Sequence, residues 1–483
     1  MLMIFAMLFP AIAGIAVCAA RMEEKKRNIC CTVILLVTDL LAVLSAVRGG
    51  SVTLLDMGGG AVIRFSPDGI GTVFLAMVLI LYTAVCFYAF EYMTMEERPA
   101  MFFAFYFISF GAMISVCLAG NLVTLYFCFE MATLTSVPLV LHEMTKEAVA
   151  AGLKYLFYSI AGALMGLLGV FFAYFYAADS AEFVYGGFID RAALSGHEGI
   201  FLTAIFIAII GFGTKSGMYP MHGWLPTAHP IAPAPASSLL SGIIAKAGVL
   251  AIIRLVYFSV GADVIRGTWV QTAWMCLCML TIFMGSMMAF CEKVLKKRLA
   301  YSTISQISYI LLSLSVLSED GIRGGLLHMM SHAASKGCLF LVAGIFIYKL
   351  GKRRVDQLRG VGKQMPVTMW CFTIVSLSLV GIPPMGGFLS KWEIAQAAIG
   401  SGMGALSVLA PIILLISALL TAGYLFPIVV DGFFPGHDFM ESEEGRSLQK
   451  AEPSPLMTVP LIALCAVALC VGLFGNAIVS LVI

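Results

Sequence analysis

The chain has 483 residues, 60% of them hydrophobic and 12% charged, with a formal net charge of +2. A soluble protein of this size cannot hide so much apolar surface, so the composition excludes a soluble enzyme and points to a polytopic membrane protein. The near-neutral balance offers no surface for nucleic acid or for a strongly acidic partner.

A helix that crosses a bilayer needs ~20 mostly apolar residues. On that rule fourteen spans are predicted, near 1–20, 29–47, 70–91, 100–119, 121–142, 148–178, 200–227, 231–258, 268–291, 299–317, 325–349, 366–397, 404–433 and 456–481. The first run lacks a basic start and a small-residue cleavage site, so it reads as a retained span and not as a signal peptide. No soluble domain fits between the spans, since the longest polar link runs only from Gly436 to Pro455. The fold class expected is an all-α polytopic membrane protein, with residues 1–483 forming a single transmembrane domain.

Orientation follows from the placement of Lys and Arg. With the N-terminus outside, the inner links carry eighteen of the 29 basic residues, among them Lys293, Lys296, Lys297 and Arg298, and the outer links carry five. This asymmetry supports an outside N-terminus, the even span count puts the C-terminus outside too, and the location expected is the cell membrane of a prokaryote. The remaining six, Lys154, Lys215, Lys246, Arg254, Lys336 and Lys391, fall within spans. Arg254 lies near the outer end of span 8, from where its side chain can reach the headgroups. The five lysines have no such route, and an ammonium at the centre of a bilayer helix costs roughly 2.5–3.5 kcal/mol.

Two spans place helix breakers beside a lysine: Gly211 to Pro226 around Lys215 in span 7, and Gly381 to Lys391 in span 12. They stand five spans apart, as do Lys154 in span 6 and Lys336 in span 11. Five is odd, so matching spans cross in opposite directions. This predicts two inverted five-helix repeats, spans 4–8 (residues 100–258) and 9–13 (residues 268–433), with an ion site where the broken helices meet. Simple kinks are the plain alternative, and two at matching positions, each with a lysine, argue against it.

Among acids in spans, Glu130 is the clearest and Asp39 the second. A lone carboxylate in lipid tends to take a proton, so Glu130 calls for a partner such as Lys215 or Lys154. In HMMSHAASK, residues His328, Ser331, His332, Ser335 and Lys336 share one helix face. His328 and His332 have no third metal ligand in view, and a hydrated polar stripe suits protons better. Ser302, Thr303, Ser305, Gln306 and Ser308 in span 10 read mainly as helix–helix hydrogen bonding. His222 and His229 flank WLPTAHP near the inner face, where each is equally suited to proton uptake towards Lys215 and to a plain interface role. The thirteen cysteines lie scattered in apolar runs, and the closest pairs, Cys30–Cys31 and Cys276–Cys278, lack zinc, iron–sulfur or haem spacing.

Six blocks carry a resemblance: NLVTLYFCFE (121–130), KYLFYSIAGA (154–163), FGTKSGMYPMHGWLPTAHPIAPAPASSLLSGIIAKAGVLAIIR (212–254), KKRLAYSTISQISYI (296–310), HMMSHAASKGCLFL (328–341) and GIPPMGGFLSKW (381–392). Together they resemble the antiporter-like membrane subunits shared by respiratory complex I, Mrp-type Na⁺/H⁺ antiporters and membrane-bound energy-converting hydrogenases. The resemblance implies that Glu130 is the family's glutamate of the fifth span and Lys215 the lysine of its broken seventh. It makes Lys246 the basic relay residue of the eighth, places Lys336 in the eleventh, and gives Lys391 the terminal place in the twelfth. Some relatives carry Glu at that last place. The chain stops soon after span 14, which on this resemblance implies one of the shorter subunits.

The function expected is proton translocation along Glu130, Lys154, Lys215, Lys246, His328, His332, Lys336 and Lys391, with uptake through His222 and His229. H⁺ is the ion, and Na⁺ is a second candidate. The chain would work with other membrane subunits, hold no metal or cofactor, and leave redox chemistry to neighbouring chains. The alternative from another class is a non-conducting membrane anchor for a redox module.

Overall fold

Hydrocarbon offers a backbone no water to bond, so each long apolar run satisfies its own N–H and C=O groups as a helix. A computed structural model describes residues 1–483 except 59–60, 179–180 and 483. The long helices are α1 (Leu2–Ala19), α2 (Glu24–Arg48), α3 (Gly69–Tyr92), α4 (Pro99–Leu118), α5 (Leu122–Val140), α6 (Lys146–Phe175) and α7a (Glu198–Lys215) with its short continuation α7b (Leu225–Ile231). Then come α8 (Ala234–Val260), α9 (Trp269–Cys291), α10 (Leu295–Ser315), α11 (Glu319–Leu350), α12a (Pro366–Val380), α12b (Gly386–Ile399), α13 (Ala405–Phe433) and α14 (Pro455–Ser480).

Among the described residues, twelve helices are long and apolar enough to cross a membrane, and each coincides with one of the fourteen predicted spans. The other two predicted spans differ for separate reasons. Residues 299–317 fall on α10, which Lys296, Lys297, Arg298 and a run of Ser, Thr and Gln make too polar to qualify by composition. Residues 366–397 divide into α12a and α12b, of 15 and 14 residues, because the chain breaks between them.

The interior is built from α8, α10 and α11. Every residue of the apolar window of α8 is buried, and α11 is buried over most of its length. A helix apolar all round belongs inside, and α8 pairs that pattern with two π-helical segments, Leu240–Ile244 and Arg254–Val260. Outer helices such as α2, α13 and α14 leave rows of exposed Leu, Ile and Val suited to lipid.

Two links carry structure of their own. The link after α2 holds an antiparallel hairpin, β1 (Val52–Asp56) and β2 (Val62–Phe65), with Val52 opposite Phe65 and Thr53 opposite Arg64. A search for 20-residue apolar runs passes over strands this short. In the loop 179–198, of which 179 and 180 lie outside the described residues, the backbone N–H groups of Val184, Gly186 and Phe188 donate to the carbonyls of Phe258, Tyr257 and Ser259 across the end of α8.

Arg254 does not reach for the headgroups. It is 1% exposed and forms a two-pronged ion pair with Asp68, the N-cap of α3, between the rings of Phe183 and Phe258 at 4.7 and 5.0 Å. A planar guanidinium is the one cation that matches a carboxylate on both prongs. Asp68 also accepts from the Gly71 N–H at 2.9 Å, so one carboxylate ties the start of α3 to the end of α8. Burial pushes the Asp68 carboxyl up, but the hydrogen bonds and charge of Arg254 outweigh it and hold the group below its ordinary value.

Asp68→Asn is therefore expected to lower unfolding free energy by about 2 kcal/mol or more, since it strands a buried guanidinium. The pair's contribution is present above the ordinary aspartate pKa of ~3.9 and is lost as pH falls through the lowered value. Thermal melts of wild type and variant in detergent, at neutral pH and below pH ~3, check this: the gap between them should close in acid.

Candidate functional site

Both breaks are written in residues that cannot continue a helix. α7a stops at Lys215, and Gly217 follows in the left-handed region at φ +77°. A Cβ there would stand 2.3 Å from Leu225 Cδ1. Trp224 closes the gap, its indole N–H donating to Thr214 O at 2.9 Å while its ring stacks on Tyr155 at 4.5 Å. In the second break Gly381 ends α12a at φ +93°. Pro383 and Pro384 have no N–H to give to the carbonyls four residues back, Leu379 and Val380. Lys391, reaching back from α12b, takes both: Nζ donates to Leu379 O at 2.6 Å and Val380 O at 2.9 Å.

The other amines are held in the same way, by neutral oxygens. Lys215, 1% exposed, donates to Phe129 O at 3.1 Å and Thr133 Oγ1 at 2.6 Å on α5, and lies 4.4 Å from the Phe129 ring centre. Lys246, fully buried, donates at 2.7 Å to Ser241 O inside the first π segment of α8. Such segments disturb the regular ladder, and they recur at functional sites. Lys336, fully buried, donates to Leu299 O of α10 at 3.2 Å. Lys154 is half-buried and donates to Thr227 Oγ1 at 3.0 Å. None of these five amines makes an ion pair among the described residues.

These groups form a nearly continuous polar row. Lys336 and the Thr303 hydroxyl share the Leu299 carbonyl, Thr303 bonds Ser241 Oγ at 2.7 Å, and the Ser241 carbonyl holds Lys246. Towards Lys215, Ser216 Oγ donates to Ala245 O at 3.1 Å, next to Lys246. Towards Lys391, the rings of His332 and His328 lie 6.1 Å apart, and His328 Nδ1 shares a 2.9 Å hydrogen bond with Ser390 Oγ. Both ring nitrogens of His332, the Ser335 hydroxyl and the Gln306 amide are buried with no hydrogen-bond partner among the described residues. Unpaired polar groups in a dry core are the places where water is most favoured.

Several residues sit differently from the expectation. Glu130 pairs with neither Lys215 nor Lys154. It is half-buried and accepts from Tyr126 OH at 3.2 Å, while Lys215 turns to the neighbouring Phe129 carbonyl and to Thr133. The two remain within electrostatic reach of one another. His222 lies half-buried at the first break, stacked on Tyr219 at 5.7 Å. His229 is fully buried, stacked on Phe340 at 4.6 Å, with both nitrogens unpaired among the described residues. In span 10 Ser302, Thr303 and Ser305 do make helix–helix hydrogen bonds, to Tyr424, Ser241 and Ser286, whereas Gln306 and Ser308 make none through their side chains among the described residues.

Sequence reading passed over Thr133 and Ser241, which hold the amines of Lys215 and Lys246, and Ser390, which holds the His328 ring, all through contacts only the fold creates. It also counted Lys296 as a link residue. Lys296 is 5% exposed and donates to Ala232 O at 2.5 Å, within electrostatic reach of His229. Its place directly before the polar run of α10 was the one available signal.

Residues 119–421 match the family model described as NADH:quinone oxidoreductase/Mrp antiporter, TM. The chain is 31% identical over 419 residues to NADH-quinone oxidoreductase subunit N of Desulforudis audaxviator, covering 85% of this chain and 81% of that protein. It is 31% identical over 342 residues to hydrogenase-4 component B of Escherichia coli, covering 67% of this chain and 49% of that protein, so it spans about half of that relative's length. It shares its fold with a chain of the Mrp complex from a Dietzia species, at a TM-score of 0.82 and 21% identity over 100% of this chain and 96% of that one.

A buried amine held only by neutral oxygens works against stability. Lys336→Met, which keeps the shape and removes the amine, is expected to leave the melting temperature in detergent unchanged or raise it. A fall of several degrees would show that Lys336 is kept for structure.

Proposed function

The chain belongs to the NADH:quinone oxidoreductase/Mrp antiporter family of membrane subunits, and on that basis we propose that it moves protons along its buried lysine row as one subunit of a multisubunit membrane complex. The observation that carries this reading is the partner list of the amines. Lys215, Lys246, Lys336 and Lys391 are bound by carbonyls and hydroxyls and by no carboxylate among the described residues. A permanent charge so placed is uncompensated. An amine that gives up and regains a proton escapes that cost for part of each cycle, and its hydroxyl and carbonyl contacts suit both forms.

Glu130 is the control element. A carboxylate drawn close to Lys215 holds the proton on it, and one drawn away releases it. Released charge passes to Lys246, and repulsion between Lys246 and Lys336, which lie within electrostatic reach, favours onward movement to His332, His328 and Lys391. Water recruited to the unpaired groups of His332, Ser335 and Gln306 would complete the row. Lys154 at α6, with His222 and His229, forms the uptake side. A proton moved across the membrane stores ~2.3 kcal/mol per 100 mV, about the size of one charge-pair rearrangement in a low-dielectric site.

Two inverted repeats, residues 100–258 and 268–433, account for the paired breaks at Lys215 and Lys391. The excess of Lys and Arg in one set of links supports an orientation with both termini outside, and the location proposed is a prokaryotic cell membrane. Redox chemistry or cation exchange belongs to neighbouring subunits, with Na⁺ the alternative coupled ion.

Glu130→Ala and Lys391→Ala in the purified complex, reconstituted in vesicles, should each reduce ion translocation by roughly a hundredfold or more with subunit composition unchanged. Transport that survives both would make the chain a membrane anchor. Thr303→Val, which removes the hydroxyl between Lys336 and Lys246, should slow transport by roughly tenfold, read as the pH change inside the vesicles. Mass spectrometry of subunits that co-purify from native membranes identifies the driving reaction: iron–sulfur or nickel–iron proteins mean redox drive, and small hydrophobic antiporter partners alone mean Na⁺/H⁺ exchange.

A further inference from the structure

The second intramembrane acid, Asp39, takes no part in the lysine row. It sits on α2, fifteen residues from one end of the helix and nine from the other, so about 22 Å and about 14 Å along its axis at ~1.5 Å per residue. Asp39 lines a groove of about 1130 Å³ between α2, α3 and α14. The remaining lining is apolar apart from Thr83 and, at the far end, Ser454, and it includes the exposed faces of Val43, Leu456 and Val459. The Thr83 hydroxyl donates to Asp39 Oδ2 at 2.8 Å. Oδ1 is buried and has no hydrogen-bond partner among the described residues.

We propose that this groove receives a transmembrane helix of a neighbouring membrane subunit, which places a lysine or arginine against Asp39 at mid-membrane depth. Three observations carry the choice of occupant. A half-satisfied carboxylate inside the bilayer calls for a donor, and a basic side chain supplies both the donor and the opposite charge. A phospholipid's donors stay with its headgroup at the interface, so an acyl chain in the groove would leave the Asp39 charge uncompensated. The walls on α3 (Ala76–Phe87) and α14 (Ser454–Leu464) each extend over about ten residues, roughly 15 Å of helix, a length over which one helix packs against its neighbours. Asp39 is in this reading an assembly residue, and it stands whether or not the lysine row conducts.

The test uses the intact complex in native membranes, with a photo-crosslinking amino acid at Val459 or Val43. The expected product joins this chain to an apolar span of another membrane subunit that carries Lys or Arg in its middle third. Asp39→Asn should cut the yield of that product by more than about tenfold. Crosslinks to lipid or quinone only, to a span without a basic residue, or at a yield that Asp39→Asn leaves unchanged would overturn the proposal. If Asp39→Asn prevents accumulation of the complex, Asp39→Lys combined with the matching basic-to-Asp change in the partner decides: recovered assembly supports the pairing, and no recovery refutes it.

Discussion

A lysine amine buried in a helix bundle with no ion-pair partner among the described residues is the condition around which this molecule is arranged. Lys215, Lys246 and Lys336 are buried as completely as the leucines beside them. Desolvation at such depth disfavours the charged form, and neutral acceptors recover only part of that loss. A bundle selected for stability alone would replace these amines with apolar side chains. Their presence, and the backbone rearranged to reach them, is what the proposed transport path rests on.

The fold supplies acceptors by spoiling its own regularity at chosen points. Two prolines in succession free the carbonyls of Leu379 and Val380, and Lys391 occupies both. In α8 the π segment brings Ser241 O to Lys246. In α5 and α10 no break is needed, because a threonine one turn on shares the carbonyl with the lysine: Thr133 with Phe129 for Lys215, and Thr303 with Leu299 for Lys336. Each device gives the amine neutral oxygens to donate to.

Arg254 shows what a structural charge looks like in the same bundle. Its guanidinium is matched on both prongs by Asp68 and covered by two aromatic rings, so it cannot lose a proton and has no reason to move. Compensation by a carboxylate marks a clamp. The lysines of the row have neutral oxygens in its place, and the proposed function rests on that difference.

The identity of the buried charges was legible in the amino-acid order, because lysine in an apolar run of twenty residues has no solvent to reach, and Gly and Pro beside Lys215 and Lys391 announce broken helices. The long helices were legible for the same reason: hydrocarbon forces an apolar run to close its own hydrogen bonds. What the order could not reveal was pairing. Arg254 and Lys391 look alike as cations inside spans, yet one meets Asp68, 186 residues earlier in the chain, and the other meets the end of the preceding half-helix, α12a. Glu130 looked like the partner of Lys215 and bonds Tyr126 instead, and Lys296 looked like a link residue and is buried against Ala232. Composition and periodicity fix which side chains leave water, since that depends on local sequence alone. Which atoms they then meet depends on how α5, α8, α10 and α11 pack, and only the tertiary structure decides that.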